Sequence, residues 1–206
     1  MSEYPVGFIA ELSAGAVVEA ARGGKRHAAS HLSAKRRPKA VRRSGDGADE
    51  RQCQPCTACC DGWLRMKIGG VAVSPGHPCP HSTGSGCDDY ANRPRSCVRF
   101  ECGWRMTASP LPDWMRPDQS GVIVLFAKRR WMGRPVDVAV PVGQRIPPRA
   151  LLWLKAFAEQ HQRPLLYTEQ SLSDGRYDAS QQVFVHGPPA FREQVAAWQA
   201  RGEPLW

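Results

Sequence analysis

The sequence predicts an α+β protein in three successive parts: a basic tail at 1–50, a cysteine-rich module at 51–106, and a small sheet-plus-two-helix region at 107–206. Three observations lead there. Residues 21–45 carry nine Lys/Arg and no acid, and all eight cysteines lie within 53–102. After 107 the apolar residues switch between a period of two and a period near 3.6. At 206 residues the chain is long enough to bury a real core.

The tail is rich in Ala, Gly, Ser and Arg, and apart from a short helix over 10–22 it lacks the apolar surface to fold alone, so disorder is expected. Setting its nine clustered cations aside leaves nineteen basic residues against nineteen acidic ones, so the whole net charge of +9 sits there. Such a stretch reads either as an arm for nucleic acid or an acidic partner, or as a solvated tail. The second reading is preferred, because no aromatic residue interleaves the charges to stack on bases. Glu11 and Glu19 interrupt the N-terminal apolar residues, and "KRRPKAVRR" leads into no hydrophobic region, so neither a secretory nor a twin-arginine signal is read. No apolar run reaches membrane-spanning length. A cytosolic location is expected, and in a reducing compartment clustered cysteines bind metal more often than they form disulfides.

Within the module, "WLRMKIGGVAVSPG" alternates around a Gly-Gly break and predicts a hairpin turning at Gly69–Gly70. "HPCPHSTGSGCDDY" is dense in Pro, Gly and Ser and reads as loop. Beyond the proline-marked "SPLPDWMRPDQS", strands are expected at 121–127 and at 134–142, the latter alternating at Val136, Val138 and Val140. "PPRALLWLKAFAEQHQ" predicts a helix with Leu151, Leu154 and Phe157 on one face. "PLLYTE" and "QQVFVHG" supply two more strands. A final helix from Pro189 places Phe191, Val195 and Trp198 at i, i+4 and i+7.

The chemistry lies in the cysteines. Thiolates are soft ligands that suit zinc, copper(I) or iron–sulfur clusters. Cys53, Cys56 and Cys59 follow C-x2-C-x2-C, the loop by which ferredoxins hold three irons of a [4Fe–4S] cluster, and Cys79-Pro80 echoes the remote fourth ligand. A four-sulfur zinc site is the alternative, with Cys53/Cys56 as one pair and Cys97/Cys102 as the other. That would leave Cys59, Cys60, Cys79 and Cys87 for a second site or for packing. Cys60 breaks the spacing of three and is expected to point away from Cys59. His77 and His81 read as loop histidines, and Asp88, Asp89 and Glu101 as solvated groups beside the ligands, since carboxylates are hard donors. No Ser-His-Asp order, nucleophile elbow or H-E-x-x-H motif points to catalysis, so no enzyme activity is assigned.

Taken together, C53-x2-C56-x2-C59-C60, Cys79, Gly86-Cys87, Tyr90, Arg93-Pro94, Cys97, Phe100 and Cys102 closely resemble the bacterial CxxCxxCC proteins, the YkgJ-type cysteine-cluster family. The resemblance covers about 50–104. It implies a zinc- or iron-chelating domain, with all eight cysteines as candidate ligands, and names no reaction. A related cluster occurs in flagellin lysine methylases, which makes an iron–sulfur component of a protein-modifying enzyme the alternative. A nucleic-acid-binding zinc protein using the basic tail is a third reading.

Overall fold

The computed structural model describes residues 51–206; the expectations for the tail, its disorder, its short helix and its partners, lie outside them. The elements are β1 (Met66–Ile68), β2 (Val71–Val73), α1 (Arg95–Arg99), a 3-10 turn at Asp113–Met115, α2 (Pro117–Ser120), β3 (Val122–Trp131), β4 (Arg134–Pro141), α3 (Pro148–Gln160), β5 (Leu165–Ser173), β6 (Arg176–His186) and α4 (Pro189–Ala200). The class is α+β. Among the described residues, no helix is long and apolar enough to cross a membrane.

Strands β3 to β6 lie side by side in chain order. Both outer pairs are antiparallel hairpins, and β4 runs parallel to β5 because α3 carries the chain across between them. The hairpins close on Met132–Gly133 and Asp174–Gly175, each pair at positive φ. Two consecutive left-handed residues match the twist of antiparallel strands. β1 and β2 form a separate two-stranded sheet turning at Gly69–Gly70, where the alternation put it.

β4 is buried on both faces, so its valine alternation marks one face of a covered strand. Val136, Val138 and Val140 pack with Phe191, Val195 and Trp198 of α4, and Ala58 and Leu64 of the cysteine module join that same core. On the other face Val122, Val124, Ala139 and Tyr167 pack against α3 and against Trp104, Leu111 and Met115. The cysteine-rich and sheet segments therefore share cores. Fully burying each large apolar side chain contributes about 1.5–3 kcal/mol. The buried stripe of α3 is Ala150, Leu154 and Ala158, with Leu151 and Phe157 at its edges. Small residues let the helix settle close onto the sheet, and the larger expected side chains flank the contact.

One polar cluster holds the sheet's irregularity. β3 bulges between Leu125 and Arg129, with Ala127 at φ 52°. The Ala127 N–H, turned out of the ladder, donates to Asp137 Oδ1 at 2.8 Å. Arg163 then donates to both Asp137 oxygens, at 2.7 and 2.6 Å.

Candidate metal centre

Four chain segments carry the eight cysteines. The first is the turn 53–62. The Cys56 N–H donates to the Cys53 carbonyl at 3.0 Å, and the Asp61 N–H to the Thr57 carbonyl at 2.8 Å. Asp61 receives the Thr57 hydroxyl at 2.7 Å and the Ser82 hydroxyl at 3.0 Å, which fastens this turn to the next segment. Gly62 ends the turn at φ 92°, and a Cβ there would sit 2.1 Å from the Ser74 carbonyl oxygen, so only glycine lets the turn lie against the end of β2.

The second segment is the loop 77–89. The Cys79 N–H donates to the Cys60 carbonyl at 2.7 Å, and Ser82 pairs with Cys87 in an isolated antiparallel bridge. The third is α1, which presents Cys97. The fourth is Cys102, held because the next N–H, that of Gly103, donates to the Val124 carbonyl of β3 at 2.6 Å. A Cβ on Gly103 would meet Phe126 at 2.9 Å.

All eight cysteines line one cavity of about 100 Å³. All are free thiols. The sequence window thus converges in space, including Cys79 and Cys87, for which spacing alone offered no settled role. His81 and Asp89 also border the cavity and His77 does not. His81 pairs with Asp88 at 3.0 Å, and Glu101 with Arg105 at 3.0 Å. The expectation for Cys60 is corrected in part: its Sγ lies 4.0 Å from that of Cys59. Beyond that contact the two side chains part, Cys59 packing on the core shared with α4 and Cys60 on the cluster of Ile68 and Val73.

The thiols perturb one another. A hydrogen bond with Cys59, helped by the charges of Arg105 and Arg93 and opposed by burial, holds Cys53 down at about 6. Burial pushes Cys56 up to about 11, opposed by backbone N–H groups of Ala58 and Asp118. Cys59 is pushed up, first by its hydrogen bonds with Cys53 and Cys60 and then by burial; Cys60 is lowered by the same bond from Cys59. Burial raises Cys102 against N–H bonds from Arg105 and Trp104. Since the thiolate is the nucleophile, metal-free protein at pH 7 is expected to be alkylated at Cys53 well before Cys56. The first value lies below the working pH and the second above it. Peptide mapping after brief iodoacetamide treatment checks this, and equal labelling of the two would contradict it.

Contributions invisible in the cysteine spacing come from outside the module. Asp118, in the short helix α2, supplies an N–H to the Cys56 sulfur, and Pro117 borders the cavity. The "RPDQSG" connection gave only a proline as a hint. The distal part of the β5–β6 hairpin reaches the module as well. Tyr177 meets Trp63 edge-on at 5.0 Å, and Arg65 donates to the Asp178 carbonyl at 2.8 Å.

Among the described residues, no group of three or more His, Cys, Asp or Glu is arranged to hold a metal ion as it stands. The Cys59 and Cys60 sulfurs lie 4.0 Å apart, within reach of a thiol hydrogen bond. The chain matches no protein-family model, no curated protein and no solved structure.

Proposed function

We propose that the chain is a cytosolic metal-binding protein whose eight cysteines hold zinc or iron, as its resemblance to the YkgJ-type cysteine-cluster family implies. The observation that carries this reading is the convergence of all eight free thiols on one cavity. Eight clustered sulfurs have little other use in a reducing compartment, and thiolates select soft metals. Two features of the walls suit an anionic metal–thiolate centre. Arg93 and Arg105 border it, and Arg105 Nε is buried without a hydrogen-bond partner in the protein. Backbone N–H groups already point at Cys56 and Cys102, the kind of donors that orient and tune thiolate ligands.

Bound there, the metal would supply structural cross-linking or, as an iron–sulfur cluster, electron transfer. An all-sulfur shell leaves no open position for a substrate. The residues of the chain do the rest. Asp61 ties the two main ligand loops together, Gly103 fixes Cys102 to the sheet, and the two arginines offset thiolate charge.

Anaerobic purification of the full chain with elemental analysis and an absorption spectrum tests the reading. Bound zinc with a colourless solution, or bound iron with broad visible absorption, is expected. Protein that contains neither metal, takes up neither on reconstitution and titrates as eight free thiols would overturn it.

A further inference from the structure

We infer that the eight cysteines are not one ligand set but two abutting sets of four, Cys53/Cys56/Cys59/Cys102 and Cys60/Cys79/Cys87/Cys97, each holding its own metal. This rests on the metal-binding reading above and divides it more finely. It also differs from the pairing suggested by spacing, which put Cys97 and Cys102 together.

The division follows from packing. Cys56, Cys59 and Cys102 lie against the core formed by the sheet and α4. Cys60 and Cys97 lie with Cys79 against Ile68 and Val73 of the β1–β2 hairpin, a separate apolar cluster. The two thiols absent from these clusters are placed by their neighbours. Cys53 opens the same turn as Cys56, whose N–H donates to the Cys53 carbonyl at 3.0 Å. Cys87 is bridged to Ser82, whose N–H donates to the Cys79 carbonyl at 2.9 Å.

Backbone anchoring agrees. The Cys79 N–H is bonded to the Cys60 carbonyl and the Cys79 carbonyl to Ser82, whose bridge partner is Cys87; Cys102 is fixed to β3 through Gly103. The sets touch at the adjacent pair, where the two sulfurs are 4.0 Å apart and Cys60 also senses Cys53. On this arrangement Cys59-Cys60 is the seam. Consecutive residues of one rigid turn serve neighbouring sites, which is why the pair is adjacent. Four sulfurs complete a tetrahedral zinc shell, so eight make two closed shells with none left over.

The test uses the full chain, stripped and reloaded with zinc(II) alone under anaerobic reducing conditions, with zinc counted by elemental analysis. Two zinc ions per chain are expected. One would overturn the division while leaving metal binding intact, and none would overturn both. The double substitution Cys59→Ser/Cys102→Ser falls within one set and should leave one zinc, whereas Cys59→Ser/Cys60→Ser spans the seam and should leave none. One zinc retained by the second variant would place both neighbours on one ion and reject the division. Hydrogen exchange across β3–β6 certifies the fold of each variant. Should either variant unfold, Cys87→Ser alone, in the solvent-reached loop, must lose one zinc and keep the other; loss of both from folded protein also rejects the division.

Discussion

On the metal-binding reading proposed above, chelator treatment under reducing conditions is expected to erase amide-exchange protection across 74–99 while β3 to β6 keep theirs. In that segment little besides thiols is buried. Its apolar cluster amounts to Ile68, Val73 and Cys79, and α1 has no buried residue. Several of the backbone hydrogen bonds holding the segment are those that place cysteines. A structural zinc site contributes apparent binding free energy on the order of 10–16 kcal/mol, far more than this cluster can replace. Residues 57–64 should respond less, because Ala58 and Leu64 are seated in the core shared with α4. The measurement is hydrogen exchange with and without chelator. Undiminished protection at 74–99 in metal-free protein would show that the loops hold themselves.

Arg163→Ala is expected to cost about 3–5 kcal/mol, the penalty for stranding a buried carboxylate. Asp137 is 3% exposed, and without Arg163 it would keep the Ala127 N–H but lose its counter-charge. For a domain of this size the loss corresponds to a melting temperature lower by on the order of 10 °C. Arg163→Lys should fall between, since an ammonium cannot donate as a fork to both oxygens. Thermal denaturation of the three proteins checks the order. A wild-type melting curve for Arg163→Ala would mean that water replaces the guanidinium at no cost.

Where apolar periodicity was strong, the sequence was a good guide to the fold. Phe191, Val195 and Trp198 are all buried where the helical spacing put them, and the Gly-Gly hairpin is present. Periodicity failed where burial is not the organising force. "QSLSDGRYDASQQ" continues β5 and β6 as a polar ribbon, so its strands extend well beyond the apolar stretches, and the Asp174–Gly175 turn was the better signal. The cysteines were legible as a set because all eight fall within 53–102. Which apolar cluster each cysteine packs against was not legible, because that depends on contacts between segments distant in sequence. Likewise, a backbone N–H such as that of Asp118 leaves no trace in residue type.

The shared core has a consequence for how such a module travels through evolution or engineering. A fragment ending at 106 would contain every thiol, yet it would lack the Asp118 N–H at Cys56 and the Val124 carbonyl that fixes Gly103. It would also leave Ala58, Leu64 and Phe100 facing water in place of the sheet and α4. The cysteine cluster is thus not a cassette that can be cut out and grafted elsewhere. Its cysteine loops and the sheet beneath them must be inherited together, and a recombination break between 106 and 122 would separate the N–H donors from the sulfurs they face.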